Sequence, residues 1–312
     1  MLPLNLRAVR VADELMLDAT ALRIAVQSIG GARVLDCGVK FAGGIRAGLG
    51  LARVCLSGLA DVAILPGDDA SLSQPRVQVT TDQPVLACMA SQYAGWQISV
   101  GSYFAMGSGP MRAIYGKEEL YNYIPGREKA PVAVGVLEGK LPPEEVVAWF
   151  VDKLGLPASQ ITLLAARTKS IAGNLQVVAR ALEMALHKLH ELKFDLAQVV
   201  SGSGVAPLPP PAADDLAAIG RTNDAILYAG RVCLWVDADD SRIAEIGQRV
   251  PSNASSEYGA LFGDLFTKYK DFYKIDPLLF SPAEIMFCNV RTGKVHRFGK
   301  MNLEVLRRSF GA

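Results

Sequence analysis

Between Ser170 and Phe194 the chain reads SIAGNLQVVARALEMALHKLHELKF. Leu175, Val178, Leu182, Leu186 and Leu189 recur at steps of three and four, which predicts one long helix with an apolar face. The stretch has no proline, and its one glycine, Gly173, lies near the start. Projected at about 100° per residue, the apolar positions cover well over half the circumference. Gln176, Arg180, Glu183, His187 and His190 share an arc of roughly 80° on the same projection. A helix so apolar elsewhere is expected to be buried, so its polar stripe needs a cavity, a partner or another polar face.

The same reading gives the other elements. An amphipathic helix is predicted at 12–28 through Leu15, Ala19, Leu22 and Val26, closed by Gly30 and Gly31. A second, at 43–57, sets Ile45, Leu49, Ala52 and Leu56 on one side. Short apolar or alternating runs predict strands at 32–37, 62–65, 76–80 and 103–106. Residues 84–96 suit a helix with Pro84 in its first turn, and 125–131 suit an exposed loop. Then come strand 132–137, helix 143–154 opened by Glu144 and Glu145, and strand 161–165. The stretch 201–213, SGSGVAPLPPPAA, reads as neither helix nor central strand, so it is a linker or a long site loop. Strand 231–236, helices 241–249 and 257–269, a hairpin at 284–298 turning at Thr292 and Gly293, and a helix at 302–309 complete the chain.

Composition narrows the class. The 312 residues are 50% hydrophobic with a net charge of +1, enough for a sizeable core and too balanced for a nucleic-acid footprint. No apolar run approaches the roughly 20 residues of a membrane span and no signal peptide is visible, so a soluble cytoplasmic protein is expected. Five cysteines are scattered without a C-x-x-C pair, which suggests neither zinc nor disulfides. Asp237, Asp239 and Asp240 suit a divalent cation or, more simply, the start of a helix.

Two features invite chemistry. Arg180 and Glu183 are three apart, so a guanidinium neighbours a carboxylate. Such a Glu can take a proton from water while the Arg holds it bidentately; a structural ion pair is the commoner use of this spacing. Gly107, Ser108 and Gly109 form a turn after a strand, which suits an anion cradle or an ordinary connection. It is neither a P-loop nor a dinucleotide fingerprint.

Taken together, ACMASQYAGW with YFAMGSGP, SIAGNLQVVARALEMALHKLH, GRTNDAILYAGRV and DFYKIDPLLFSPAE resemble methenyltetrahydromethanopterin cyclohydrolase across nearly the whole chain. The resemblance implies an α+β fold of two domains, with mixed sheets covered by helices and the substrate in a cleft between the domains. With 125–131 as the linker the boundary is expected near 128/129, giving 1–128 and 129–312, with the C-terminal part able to pack back on the first domain. The resemblance implies hydrolysis of the methenyl bridge of methenyl-tetrahydromethanopterin, or its dephospho form, to the 5-formyl derivative in one-carbon metabolism. Arg180 and Glu183 match the family's catalytic R-x-x-E. Ser91, Gln92, Gly107, Ser108, Gly109, Gln176, Thr222, Asn223 and Asp224 are the expected pterin contacts. No metal and no cofactor are expected, and neither nucleic acid nor membrane as partner; a homotrimer or other homo-oligomer is. The alternative is a non-catalytic pterin-binding subunit of a formyl-transfer complex.

Overall fold

A computed structural model describes residues 2–67, 72–93, 95–270 and 274–311. Ala94 of the predicted helix 84–96 and residues 271–273 of the DFYKIDPLLFSPAE segment lie outside these. In chain order the strands are β1 (Ala25–Ile29), β2 (Ala32–Gly38), β3 (Asp61–Leu65), β4 (Arg76–Thr81), β5 (Trp96–Val100) and β6 (Tyr103–Ser108). They continue with β7 (Ala133–Gly139), β8 (Ile161–Ala166), β9 (Val199–Pro207), β10 (Arg231–Val236), β11 (Glu284–Asn289) and β12 (Val295–Gly299). They form two mixed six-stranded sheets covered by helices, as an α+β reading requires.

The chain divides into two compact units, each with one sheet. The first comprises Met1–Ala60 and Leu86–Gln176, the second Asp61–Val85 and Val177–Ala312. The boundary expected near 128/129 falls inside the first unit, because β7 and β8 join the sheet begun by β2.

In the first unit the order is β1-β2-β8-β7-β6-β5, with β2, β8 and β7 parallel. Its central strands are near-continuous apolar runs because both faces are covered; all six residues of β8, ITLLAA, are buried. Alternate residues feed opposite cores. Leu35, Val134, Val136 and Leu164 meet helices Leu4–Leu17 and Ile45–Cys55. Val34, Leu137, Leu163 and Ala165 meet Val146, Val147 and Phe150 of helix Glu144–Leu154.

Three expectations change here. The predicted helix 12–28 is the end of helix Leu4–Leu17, a single turn Ala19–Leu22, and strand β1. Gly30 and Gly31, at φ +54° and +83°, are the two-residue turn of the β1–β2 hairpin rather than a helix stop. In helix Ile45–Cys55, Ile45 is 48% exposed; Ala52 and Leu56 are buried as expected, and Ala47, Leu51 and Val54 join them on the buried side. Within 84–96, Val85–Gln92 wind as a π-helix, and Trp96 opens β5 opposite Gly107. Past Trp96, strand β5 lies beyond the predicted elements, although Trp96, Ile98 and Val100 alternate as strand residues do.

In the second unit the order is β12-β11-β10-β9-β4-β3, antiparallel except for β10 with β11. Here the sequence reading of 201–213 is overturned, since Val199–Pro207 form the central strand β9 between β10 and β4. Its glycines serve close approach. A Cβ on Gly204 would stand 2.8 Å from the Leu182 backbone nitrogen, and one on Gly202 would stand 2.8 Å from Leu182 Cδ1. Strand β9 thus carries glycine where helix Ala181–Glu191 packs on it.

Candidate active site

The predicted helix 170–194 is two helices, Ile171–Val178 and Ala181–Glu191. The break contains neither glycine nor proline. Arg180, at φ −90° and ψ 3°, leaves the helical region. Its N–H donates to the Val177 carbonyl at 3.1 Å, while its own carbonyl accepts from the Met184 N–H at 2.8 Å and restarts the ladder. Arg180 is therefore the N-cap of the second helix and Glu183 lies in its first turn, where a negative side chain faces the positive end of the dipole.

Both side chains are enclosed, with Arg180 5% and Glu183 4% exposed. Arg180 Nη1 lies 3.9 Å from Glu183 Oε2, inside ion-pair range and beyond hydrogen-bond range. This contact is longer than the bidentate fork expected from the sequence. A carboxylate held in a largely dry setting, with a cation alongside, has the makeup of a general base for a bound water.

Further along this helix, His187 Nε2 lies 3.7 Å from Glu191 Oε1, one turn on. Burial pushes the His187 imidazole below its ordinary range, which favours the neutral ring. Lys188, missed by the sequence reading, is fully buried and donates through Nζ to the Leu278 carbonyl. Desolvation lowers its ammonium to about 8.

Thr222, Asn223 and Asp224 lie on helix Asp215–Ala229. The Thr222 hydroxyl donates to the Ala218 and Ile219 carbonyls, and Asn223 Nδ2 donates to Ile219 O at 2.9 Å. Asp224 Oδ1 accepts from the Phe262 N–H at 2.9 Å and Oδ2 from Ser309 Oγ at 2.6 Å. Asp224 thereby ties helices Phe262–Tyr269 and Leu303–Phe310 to its own. Burial raises its carboxyl to about 6 against the pull of both donors.

In the first unit, three of the expected contacts converge on a residue not singled out from sequence, Cys55. Ser91 Oγ donates to the Cys55 carbonyl at 2.6 Å and lies 2.6 Å from Ser57 Oγ. Ser108 Oγ is 3.5 Å and Gln176 Nε2 3.6 Å from Cys55 Sγ. Gln176 Nε2 also donates to Glu138 Oε1 at 3.3 Å. Gly109, at φ +88°, donates its N–H to the Ser91 carbonyl at 2.9 Å. Gly107 and Ser108 lie in β6 rather than in the expected turn, and a Cβ on Gly107 would meet Ile98 Cδ1 at 2.5 Å. Ser91, Gln92, Ser108 and Gln176 are fully buried.

Arg112 was also missed. Fully buried, it donates from Nε and Nη2 to Glu118 at 2.9 and 2.5 Å and from Nη1 to the Met89 carbonyl at 3.1 Å. Its guanidinium lies over Tyr93 and Tyr121. It holds the end of the π-helix that carries Ser91 and Gln92, and π-turns of this kind occur often at functional sites.

The family model described as Cyclohydrolase (MCH) matches residues 3–310. The chain belongs to this family. It is 47% identical over 300 residues to the methenyltetrahydromethanopterin cyclohydrolase of Rhodopirellula baltica, covering 94% of this chain and 90% of that protein. With the enzyme of the same name from Methylobacterium organophilum it shares 45% identity over 307 residues, 96% and 95% of the two chains. With that from Methanobrevibacter smithii it shares 39% over 320 residues, 100% and 99%. Among the described residues, no helix of this family member is long and apolar enough to cross a membrane. Nor do three or more His, Cys, Asp or Glu residues gather there as a metal-ion site.

Proposed function

We propose that the chain is a methenyltetrahydromethanopterin cyclohydrolase, converting methenyl-tetrahydromethanopterin or its dephospho form to the 5-formyl derivative. The observation that carries this reading is the enclosed Arg180–Glu183 pair at the start of a helix, in a chain the family matches over residues 3–310.

The substrate is a cation whose bridging carbon is shared by two nitrogens, so it is already electrophilic. Water adds to that carbon and Glu183 accepts one of its protons, giving a neutral adduct. The bond from carbon to one nitrogen then breaks. That nitrogen takes the proton held by Glu183, and the adduct's hydroxyl proton passes to solvent as the formyl group forms. One water is consumed and one proton is released overall. Arg180 holds Glu183 in place, and the carboxylate offsets the positive charge of the bound cation.

In this reading the Ser91, Gln92, Gly107–Gly109 and Gln176 group contacts the pterin, and Thr222, Asn223 and Asp224 contribute from helix Asp215–Ala229. No metal or cofactor takes part, and the enzyme works in the cytoplasm as a homo-oligomer, with a trimer expected by light scattering at micromolar concentration and a monomer contradicting it. Loss of the methenyl chromophore on adding purified protein, with pterin and folate substrates compared, tests the activity. No acceleration of the pterin reaction would end the proposal.

A further inference from the structure

Strands β10 and β11 run parallel in the second unit and present alternate residues to a sheet face that is only partly covered. On that face Cys233 and Cys288 bring their sulfurs to 3.7 Å, and both are half-buried. Met286 is the register partner of Cys233 and lies two residues before Cys288, so its side chain belongs to the same face. Its Sδ is 4.0 Å from Arg297 Nη2 on β12. The other three cysteines, Cys37, Cys55 and Cys88, are fully buried in the first unit.

The register argues against a disulfide. Cys233 pairs with Met286 and Cys288 with Trp235, so the two cysteines are diagonal. Two residues along the strand and one strand across place their Cα atoms roughly 8 Å apart, beyond the about 7 Å that a disulfide spans without backbone movement. A sulfur separation of 3.7 Å instead suits two ligands of one ion. Two metal–sulfur bonds of about 2.3 Å at a tetrahedral angle end about 3.8 Å apart.

We propose that Cys233, Cys288 and Met286 form a binding site for one soft monovalent cation of the copper(I) class. Two thiolates and a thioether are the donors such ions select, and three sulfurs satisfy copper(I), whereas structural zinc takes four ligands. Binding replaces two thiol protons by the ion and releases both. Strand β9 shows its glycines to helix Ala181–Glu191 and Ser203 to this face opposite Cys233, so the sulfurs lie on the side of the sheet away from Glu183. Loading therefore leaves turnover unchanged.

The test is anaerobic titration of the reduced full chain with copper(I) held by a chromophoric chelator. The wild type should withdraw one equivalent and release two protons. Cys233→Ser and Cys288→Ser should each lose that equivalent, and Met286→Leu should retain it with weakened affinity, all with unchanged turnover. Should the serine variants not fold, X-ray absorption on the loaded wild type should show a sulfur-only shell. Undiminished uptake by Cys233→Ser, no uptake by the wild type, or a shell of nitrogen and oxygen would overturn the site.

Discussion

Gly204 lies so close under Leu182 that a Cβ on the glycine would stand 2.8 Å from the leucine's backbone nitrogen. Leu182 sits between Arg180 and Glu183, so this approach seats the turn that carries both.

Gly204→Ala should therefore push the helix start off β9. The expected cost is about 1–3 kcal/mol, typical of overpacking, together with a fall in kcat per folded molecule. Gly202→Ala meets only side-chain ends, those of Leu182 and Leu234, which can turn aside, so its effect should be smaller on both counts. Calorimetry and turnover on the same preparations decide this, and equal effects of the two substitutions would contradict it.

Why some of this was legible in the sequence and some was not follows from where each cause lies. The run ITLLAA of β8 carries its own explanation, since a strand covered on both faces is apolar throughout. Hairpin β11–β12 likewise announces itself by alternation and Gly293. The SGSG of β9 reads as loop because what its glycines accommodate, Leu182, is distant in the chain. Nothing local marks the break before Ala181, which is the Arg180 backbone leaving the helical region. The R-x-x-E pair was readable by spacing, but its 3.9 Å separation was not. Cys55 has no motif; only the convergence of Ser91, Ser108 and Gln176 on it makes it visible.

The Ser108 hydroxyl faces Cys55 Sγ among residues expected to meet the pterin. Ser108→Val replaces the hydroxyl by a methyl and adds a second, so KM should rise clearly more than stability falls. Steady-state kinetics reads this directly; an unchanged KM with normal turnover would return Ser108 to a packing role.

Asp224 gives a pH signature. Its folded carboxyl titrates near 6, above the ordinary 3.8, so the folded state holds the proton more tightly. Its contribution to stability is complete below about pH 4 and is lost as pH rises through 6. Asp224→Asn keeps an oxygen for the Phe262 N–H and cannot ionise. The melting temperature of the variant should thus gain on that of the wild type between pH 4 and 7, and a constant difference across that range would contradict this.

The central claim is that Glu183 is the base and Arg180 its holder. Glu183→Gln keeps the shape and removes both the charge and the proton acceptor, so kcat should fall about 10²-fold or more. Arg180→Lys keeps the charge but replaces the planar guanidinium by a compact ammonium and should lower kcat too, with the double variant less than additively impaired. A purely structural ion pair predicts the reverse, a lowered melting temperature in each variant with turnover per folded molecule preserved. The decisive measurement is kcat of Glu183→Gln beside its melting temperature on one preparation: the account predicts a folded protein with turnover about a hundredfold down, and a folded protein with near-normal turnover would contradict it.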